Sequence, residues 1–263
     1  MAIIKKGTEH IHIDADDESR IITVTLDKQP LNICDRYFYN EISMAFREIN
    51  LMEGYCVVLL KSNCRHFCAG GELEEIQLMH SQENVNIIAR GATQAFEDIY
   101  NCKYPVVCAV HGKAPGAGTC IAAVSDVVIA EEGALFAMPE MTAGSICAAE
   151  YLELIIPKRL ARYYIFTGSF LTAQEMKKWG AVLDVVPKEQ LYDRAMEVAK
   201  QIAQQSPLAL AYMKKYMNEN DDDRLSEKFM SGSRLTPIYN ATEDCNEAYW
   251  AIKEKRKPVY RGR

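Results

Sequence analysis

FCAGGE at residues 67–72 and PGAG at residues 115–118 are glycine-rich turns, and a single acid, Glu140, follows them after Met138 and Pro139. Each turn lies between an apolar stretch with a strand pattern and a stretch with a helix pattern. Backbone N–H groups at the start of a helix are free to bind an anion. Two such turns can direct N–H groups at one carbonyl oxygen that gains negative charge, and Glu140 can act beside them as an acid or a base.

Strand and helix patterns alternate along the first half of the chain. Residues 20–26 alternate branched apolar residues with threonine, which predicts a strand that pairs with residues 11–13 as a hairpin. Apolar residues at helical spacing predict a helix across residues 38–49. The same exchange recurs downstream and predicts strands at 55–60, 105–110 and 126–130 and helices at 72–79, about 83–100 and 118–124. This alternation indicates an α/β fold with parallel strands and helical crossovers.

The second half of the chain has a more helical character. The patterns predict helices at 151–156, 160–166, 173–179, 191–202 and 207–217, a short strand at 182–186, and an acidic turn at 219–223 before a last pair of helices. We interpret residues 1–190 as one main domain. Residues 191–263 are then a helical appendage that serves packing or oligomerisation.

Composition excludes several classes of protein. With 263 residues, 49% of them hydrophobic, the chain can bury one substantial core. The net charge of -6 argues against nucleic acid or a membrane surface as the main partner. The nine cysteines are scattered through apolar segments, which is typical of buried thiols in a reducing compartment. We find no signal peptide pattern in residues 1–17 and expect a cytoplasmic location.

Taken together, these stretches resemble the crotonase family, also called the enoyl-CoA hydratase/isomerase superfamily. The resemblance extends over nearly the whole chain. Its motifs are LDKQPLNIC (26–34), HFCAGGE (66–72), AVHGKAPGAG (109–118), residues 126–130, FAMPE (136–140), FTG (166–168) with Ala173, WGAV (179–182) before VVP (185–187), and SPLA (206–209). Each motif is short, but the set is highly specific. It implies a crotonase-like spiral of β-β-α units with a C-terminal helical appendage.

The resemblance also implies roles for individual residues. In the family, the first oxyanion donor follows the glycine of the Phe-x-Ala-Gly turn, which is Gly71 in this sequence. The second is the middle residue of a Gly-Gly-Gly run, which reads GAG at residues 116–118 and corresponds to Ala117. Both would donate through their backbone N–H groups. By the same resemblance, the coenzyme A and substrate groove is lined by Lys28, Leu31, Ala69 and Leu73.

The sequence departs from the family pattern at two places in the expected pocket. Water-adding members commonly use two glutamates, and Glu140 matches only the second; Cys120 occupies the first position, where a thiol is a poor hydrogen-bond acceptor. Some branches place another acid eight residues after the Glu140 position, and Ala148 stands there. Glu150 follows two residues later. We expect it to satisfy N–H groups at a helix start, although it could also turn into the site.

The resemblance implies an enzyme that stabilises the enolate of an acyl-CoA thioester. The leading hypothesis is hydration or dehydration of an enoyl-CoA, a lyase reaction, with Glu140 as the acid and base. The alternatives are a double-bond isomerase that uses Glu140 alone, or an inactive acyl-CoA-binding protein. Coenzyme A enters as part of the substrate, and we expect no other cofactor and no metal. The family also suggests a homotrimer or homohexamer built through residues 191–263.

Overall fold

The computed structural model describes residues 3–221 and 224–262, with side chains from residue 6 onward. Within these residues the chain forms ten strands. In chain order they are β1 (Ile3–Gly7), β2 (Ile11–Asp16), β3 (Ile21–Leu26), β4 (Val57–Ser62), β5 (Val106–Val110), β6 (Lys113–Pro115), β7 (Val127–Glu131), β8 (Leu135–Ala137), β9 (Leu171–Thr172) and β10 (Asp184–Val186).

The strands form two sheets. The larger sheet has the order β1-β2-β3-β4-β5-β7-β10. Its first three strands are antiparallel, with Ile11 opposite Leu26, and every later pair is parallel, beginning with Ile21 opposite Val57. The smaller sheet has the order β6-β8-β9. In the sequence, β6 directly follows β5 and β8 directly follows β7. A mostly parallel sheet with helical crossovers confirms the α/β fold class.

The helices of the described residues follow the strands in alternation and then dominate the C-terminal third. They are α1 (Arg36–Leu51), α2 (Leu73–Gln77), α3 (Gln82–Tyr100), α4 (Ala117–Ala123), α5 (Glu140–Ala143), α6 (Ala149–Ile155), α7 (Lys158–Thr167), α8 (Ala173–Lys178), α9 (Leu191–Ile202), α10 (Pro207–Asn220), α11 (Leu225–Ser233), α12 (Thr236–Asn240) and α13 (Glu243–Lys253). A short 3-10 turn, Lys188–Gln190, precedes α9.

Side-chain caps explain where the longer helices begin. The Asp35 carboxylate accepts the Phe38 N–H at the start of α1, and the Ser81 hydroxyl accepts the Asn84 N–H at the start of α3. Thr172 and Glu175 form a reciprocal capping box at the start of α8. Each cap satisfies an N–H that the first helical turn leaves without an internal partner, and such a cap typically stabilises a helix by about 1 kcal/mol.

The central strands of the larger sheet are buried on both faces. Because strand residues alternate between faces, Val58 and Leu60 of β4 join the cluster with α1 and α3, whereas Val57 and Leu59 pack against α9. Phe46 and other large side chains of the first cluster are fully buried. Each such side chain contributes roughly 2 kcal/mol through burial. Burial on both faces explains why the central strands are continuously apolar rather than alternating.

Most predicted elements are confirmed, and the differences concern short ones. The hairpin, the strands β4, β5, β7 and β10, and the helices up to α10 lie within a few residues of their predicted positions, except for α5, which was not predicted. Strand β1, whose residues Ile3–Gly7 show no alternating pattern, and the smaller sheet, whose strands have two or three residues each, were not predicted. Three helices, rather than the predicted pair, follow residue 224. Asp222 and Asp223 of the predicted acidic turn lie outside the described residues.

No helix within the described ranges combines the length and the apolar character needed to cross a bilayer. Helix α9 packs against β4, β5 and β7. The division between residues 1–190 and 191–263, and the role of the second part in assembly, stay predictions.

Candidate active site

The first glycine turn, residues 67–72, is held between two other segments of backbone. The Phe67 N–H donates to the His111 carbonyl at 3.0 Å. Cys34 pairs with the turn from the other side, because its N–H donates to the Gly70 carbonyl at 2.8 Å and its carbonyl accepts the Glu72 N–H at 2.9 Å. Gly70 has a φ of +98°, and a Cβ at this position would lie 3.2 Å from the Pro115 carbonyl oxygen. The two glycine turns are therefore in contact.

The second turn places the start of α4 beside the acid. Gly116 has a φ of +54°, and its N–H donates to the Ala137 carbonyl at 2.8 Å. A Cβ built on Gly116 would lie 2.9 Å from Glu140 Oε1 and 3.8 Å from the Gly70 Cα. A side chain at residue 116 would therefore collide with the Glu140 carboxyl group. Gly116 is the point at which both turns and Glu140 meet.

The two proposed oxyanion donors lie next to this meeting point. Gly71 follows Gly70, and Ala117 is the first residue of α4 after Gly116. Among the described residues, neither N–H donates a hydrogen bond. The Ala117 N–H lacks an acceptor because the first N–H groups of a helix have no partner within the helix. Gly71 is left free because its neighbours, Gly70 and Glu72, make the hydrogen bonds to Cys34.

Gly71, Ala117 and Glu140 all line a cavity of about 260 Å³. Four further residues named from the sequence line the same cavity: Ala69, Leu73, Cys120 and Ala148. Lys28 and Leu31 are not among the described residues that border it. The Lys28 ammonium group donates to Asp35 at 2.6 Å and to the Ile33 carbonyl at 3.0 Å, while the Leu31 carbonyl accepts the Ala69 N–H at 3.0 Å. Their role in binding coenzyme A stays a prediction.

The environment of Glu140 favours its neutral form. Burial raises the pKa of Glu140 to about 8, and the negative charge of Glu150 adds to this effect, while the backbone N–H of Glu140 opposes it. An apolar pocket disfavours a carboxylate because it removes water from the charge. At neutral pH the Glu140 carboxyl group is therefore mostly protonated and ready to donate a proton. A perturbed carboxyl in a cavity is typical of catalytic sites.

Cys120 lacks the features of a nucleophile. Burial, and after it the charges of Glu140 and Glu150, raise the pKa of the Cys120 thiol well above its usual range. Only the thiolate is strongly nucleophilic. His111, the conceivable base for a thioesterase-like pair, has its Nε2 2.9 Å from the Cys64 carbonyl oxygen. Cys120 therefore contributes a small wall residue to the cavity rather than an activated thiol.

Two walls of the cavity were not anticipated from the sequence. Helix α3 contributes Ile88, Ala89, Ala92 and Phe96, where small residues three positions apart leave room at the helix surface. The C-terminal helices contribute Phe229, Ser233, Thr236 and Ile252. The alanines of α3 are visible in the sequence and could have indicated a helix surface with room for a ligand. The C-terminal contributions depend on long-range packing, and no local pattern indicates them.

Comparison with known proteins agrees with this site and fold. The family described as Enoyl-CoA hydratase/isomerase matches the chain over residues 16–263, and the protein belongs to this family. A solved structure of an enoyl-CoA hydratase from Mycobacterium avium subsp. paratuberculosis K-10 superposes with a TM-score of 0.82 at 21% identity, covering 97% of this chain and 99% of that one. The crotonase fold expected from the sequence is thereby confirmed.

Curated relatives are named for different reactions of coenzyme A thioesters. The chain is 32% identical to "(7aS)-7a-methyl-1,5-dioxo-2,3,5,6,7,7a-hexahydro-1H-indene-carboxyl-CoA hydrolase" of Rhodococcus jostii (strain RHA1), over 78% of this chain and 80% of that protein. It is 29% identical to "2,3-dehydroadipyl-CoA hydratase" of Escherichia coli (strain K12), over 94% of this chain and 97% of that protein. The protein is an enzyme of the crotonase superfamily, and these names span more than one reaction.

Proposed function

We propose that the protein hydrates an enoyl-CoA thioester, or dehydrates the corresponding 3-hydroxyacyl-CoA. In this proposal the Gly71 and Ala117 N–H groups donate to the thioester oxygen, and Glu140 transfers the proton at carbon two. Water adds its oxygen to carbon three. Coenzyme A enters as part of the substrate, and no further cofactor takes part.

One observation carries this proposal: Glu140 Oε1 lies against Gly116, next to two backbone N–H groups that have no partner among the described residues. The hydrogen-bond donors are held by backbone pairing, so they need little rearrangement when the oxygen becomes negative. Preorganised donors of this kind usually provide the largest single contribution to catalysis. The protonated state of Glu140 supports delivery of a proton to carbon two in the same place.

Double-bond isomerisation is the second candidate, and Cys120 is the observation that favours it. Cys120 lines the cavity at the position where water-adding relatives carry their other glutamate. An isomerase needs one group that removes a proton and returns it, and Glu140 alone satisfies that requirement. The hydrolase relative makes hydrolysis a third outcome to be measured.

Isotope labelling separates these reactions. Enoyl-CoA thioesters of several chain lengths and ring types are incubated with the protein in deuterated water that also carries heavy oxygen, and the products are analysed by mass spectrometry. Hydration predicts one heavy oxygen and one deuterium on the acyl group. Deuterium uptake with bond migration and no added oxygen supports the isomerase, and heavy oxygen in a cleaved acid supports hydrolysis. Binding without any label across the panel supports an inactive acyl-CoA-binding protein and contradicts our proposal.

We also propose that the protein assembles as a trimer or a dimer of trimers through its C-terminal helices. On α10, Leu208, Tyr212, Met213, Tyr216 and Met217 are all more than half exposed. The opposite side of α10 is anchored, because the buried Lys214 ammonium lies 2.6 Å from Asp126 Oδ2. An exposed apolar face on an anchored helix is typical of an interface. Sedimentation of Tyr216→Lys should show smaller particles than the unchanged protein; identical sedimentation would contradict this role of α10.

A further inference from the structure

Glu150 carries a buried carboxylate oxygen that the rest of the site does not explain. It lies in the first turn of α6, and the helix start predicted there is present. Its Oε1 atom is buried and has no hydrogen-bond partner among the described residues. The carboxylate also interacts with its own backbone N–H at the helix start, but this leaves Oε1 unpaired. Buried polar atoms in proteins are nearly always paired, so an unpaired carboxylate oxygen requires a reason.

The backbone places Glu150 just outside the residues that border the catalytic cavity. Ala148, two residues earlier, lines the cavity and has a φ of +67°, a strained conformation for a residue other than glycine. This turn redirects the chain into α6, which packs against α4, the helix that carries Cys120. Strain of this kind is commonly found where a functional group must be positioned.

The two carboxyl groups act on the same pair of thiols. Burial, followed by the charges of Glu140 and Glu150, raises the pKa of Cys120. For Cys147, burial and Glu140 are again the larger causes and Glu150 contributes in the same direction. Both thiols line the cavity. Glu150 therefore acts electrostatically on the same two thiols as Glu140.

The surroundings leave Glu150 able to exchange a proton near neutrality. Burial raises the pKa of Glu150 to about 7; its own backbone N–H and Lys228 of α11 oppose the shift, and Glu153 adds to it. The hydroxyl of Tyr151, the next residue, is also buried without a hydrogen-bond partner among the described residues. The charged and titratable groups around the two carboxyls are Cys120, Cys147, Tyr151, Glu153 and Lys228.

We propose that Glu150 is the second carboxyl group of the site and that it accepts a proton from the water that adds to the substrate. Glu150 would thus perform, from α6, the task for which the Cys120 position lacks an acid. This inference rests on the proposed hydration. It extends the site to a residue for which the sequence suggested mainly a role at a helix start.

The step balances without any further reactant. The water oxygen bonds to carbon three and one water proton passes to the ionised Glu150 carboxylate. The carbon two–carbon three double bond becomes single, and carbon two takes the proton of neutral Glu140. Glu140 ends ionised and Glu150 ends neutral, so one proton must return from Glu150 to Glu140 before the next turnover.

The test compares Glu150→Gln with Glu153→Gln, a matched change one turn along α6. Two reactions are followed: heavy-oxygen uptake by an enoyl-CoA, and deuterium exchange at carbon two of a saturated acyl-CoA. The saturated thioester has no double bond to hydrate, so it reports Glu140 and the two N–H groups alone. We expect Glu150→Gln to lower oxygen uptake roughly a hundredfold and to leave exchange within about threefold of the unchanged protein, whereas Glu153→Gln changes neither.

The pH dependence of exchange measures the electrostatic effect of Glu150 on Glu140 separately from the loss of oxygen uptake. Removing the Glu150 charge should lower the pKa of Glu140 and move the midpoint of exchange downward by about half a pH unit or more, and Glu150→Asp should restore it. An unchanged midpoint, or an equal loss of both reactions, would overturn the inference. The proposed function fails in a different way: an unchanged protein that exchanges deuterium without taking up oxygen is not a hydratase, and this result appears before any variant is made.

Discussion

The glycine turns and the segment at residues 140–150 form two adjoining parts of one cavity wall, and they are built differently. Backbone hydrogen bonds to Leu31, Cys34 and His111 hold the first turn, and Gly70 and Gly116 allow the two turns to touch. The segment at 140–150 instead contributes side chains, among them two carboxyl groups with raised pKa values. It contacts the C-terminal helices through the Ile146 N–H, which donates to the Thr236 hydroxyl at 3.2 Å.

The two parts of the wall therefore have different tasks: one binds the thioester oxygen in every reaction, and the other determines which reaction takes place. A hole made from backbone N–H groups stabilises any thioester oxygen and tolerates the change from glycine to alanine at residue 117. The acids decide which proton moves and whether water adds. The sequence departs from the family pattern at Cys120 and Ala148, two positions at which some relatives carry an acid. We therefore expect backbone changes to weaken every reaction of the protein and carboxyl changes to select among reactions.

The largest expected effect comes from removing the main acid. Glu140→Gln keeps the size of the side chain but cannot exchange its proton, so turnover and deuterium exchange should fall roughly a thousandfold. Acyl-CoA affinity, measured by calorimetry, should change little because the N–H groups remain. Full turnover in the folded variant would remove Glu140 from the mechanism.

Ala117→Pro tests the backbone side of the comparison. Proline lacks the N–H but is tolerated at the first position of a helix, so α4 should still form. We expect a loss of roughly a hundredfold in every reaction with acyl-CoA, as for other oxyanion donors. Thermal unfolding verifies that the variant is folded. A folded variant with normal rates would show that this N–H does not contact the reacting oxygen.

Gly116→Ala tests the contact between the second glycine turn and the acid, because the added Cβ would lie 2.9 Å from Glu140 Oε1. The carboxyl group must move, and we expect a loss of roughly tenfold in exchange rate. Gly180→Ala is the control: Gly180 also has a positive φ, +82°, but no atom lies within 4 Å of its added Cβ. Both variants should lose stability, and only Gly116→Ala should lose activity. Equal activities would contradict the contact between Gly116 and Glu140.

A last effect concerns the stability of the protein rather than its activity. The folded protein holds a proton on Glu140 up to about pH 8, whereas an unfolded chain releases it near the ordinary value of 4.5. Because the folded state binds more protons in this window, Glu140 makes stability fall as pH rises from about 4.5 to 8. Glu140→Gln removes this effect and should gain roughly 3 kcal/mol in unfolding free energy between pH 5 and pH 8 relative to the unchanged protein. Denaturant unfolding at both pH values measures it, and an equal difference at both would contradict the raised pKa.

The sequence indicated the α/β fold and the residues that meet at Gly116, because both depend on local patterns. The turns containing Gly71 and Ala117 follow apolar strands, and the glycines reveal where backbone must approach backbone. Local patterns could not reveal β6, β8 and β9, which are too short to show a period. They also could not show that Phe229 and Thr236 close the cavity, or that a Glu150 oxygen is buried unpaired, since these follow from packing between distant segments.

The structure of a complex with a non-reactive acyl-CoA analogue tests the central claim most directly. We predict that the thioester oxygen lies about 3 Å from both the Gly71 and the Ala117 nitrogen atoms, with the Glu140 carboxyl group within hydrogen-bonding reach of carbon two. A thioester oxygen bound away from these two N–H groups, or an acyl chain that passes Glu140 on the far side of the cavity, would contradict the account.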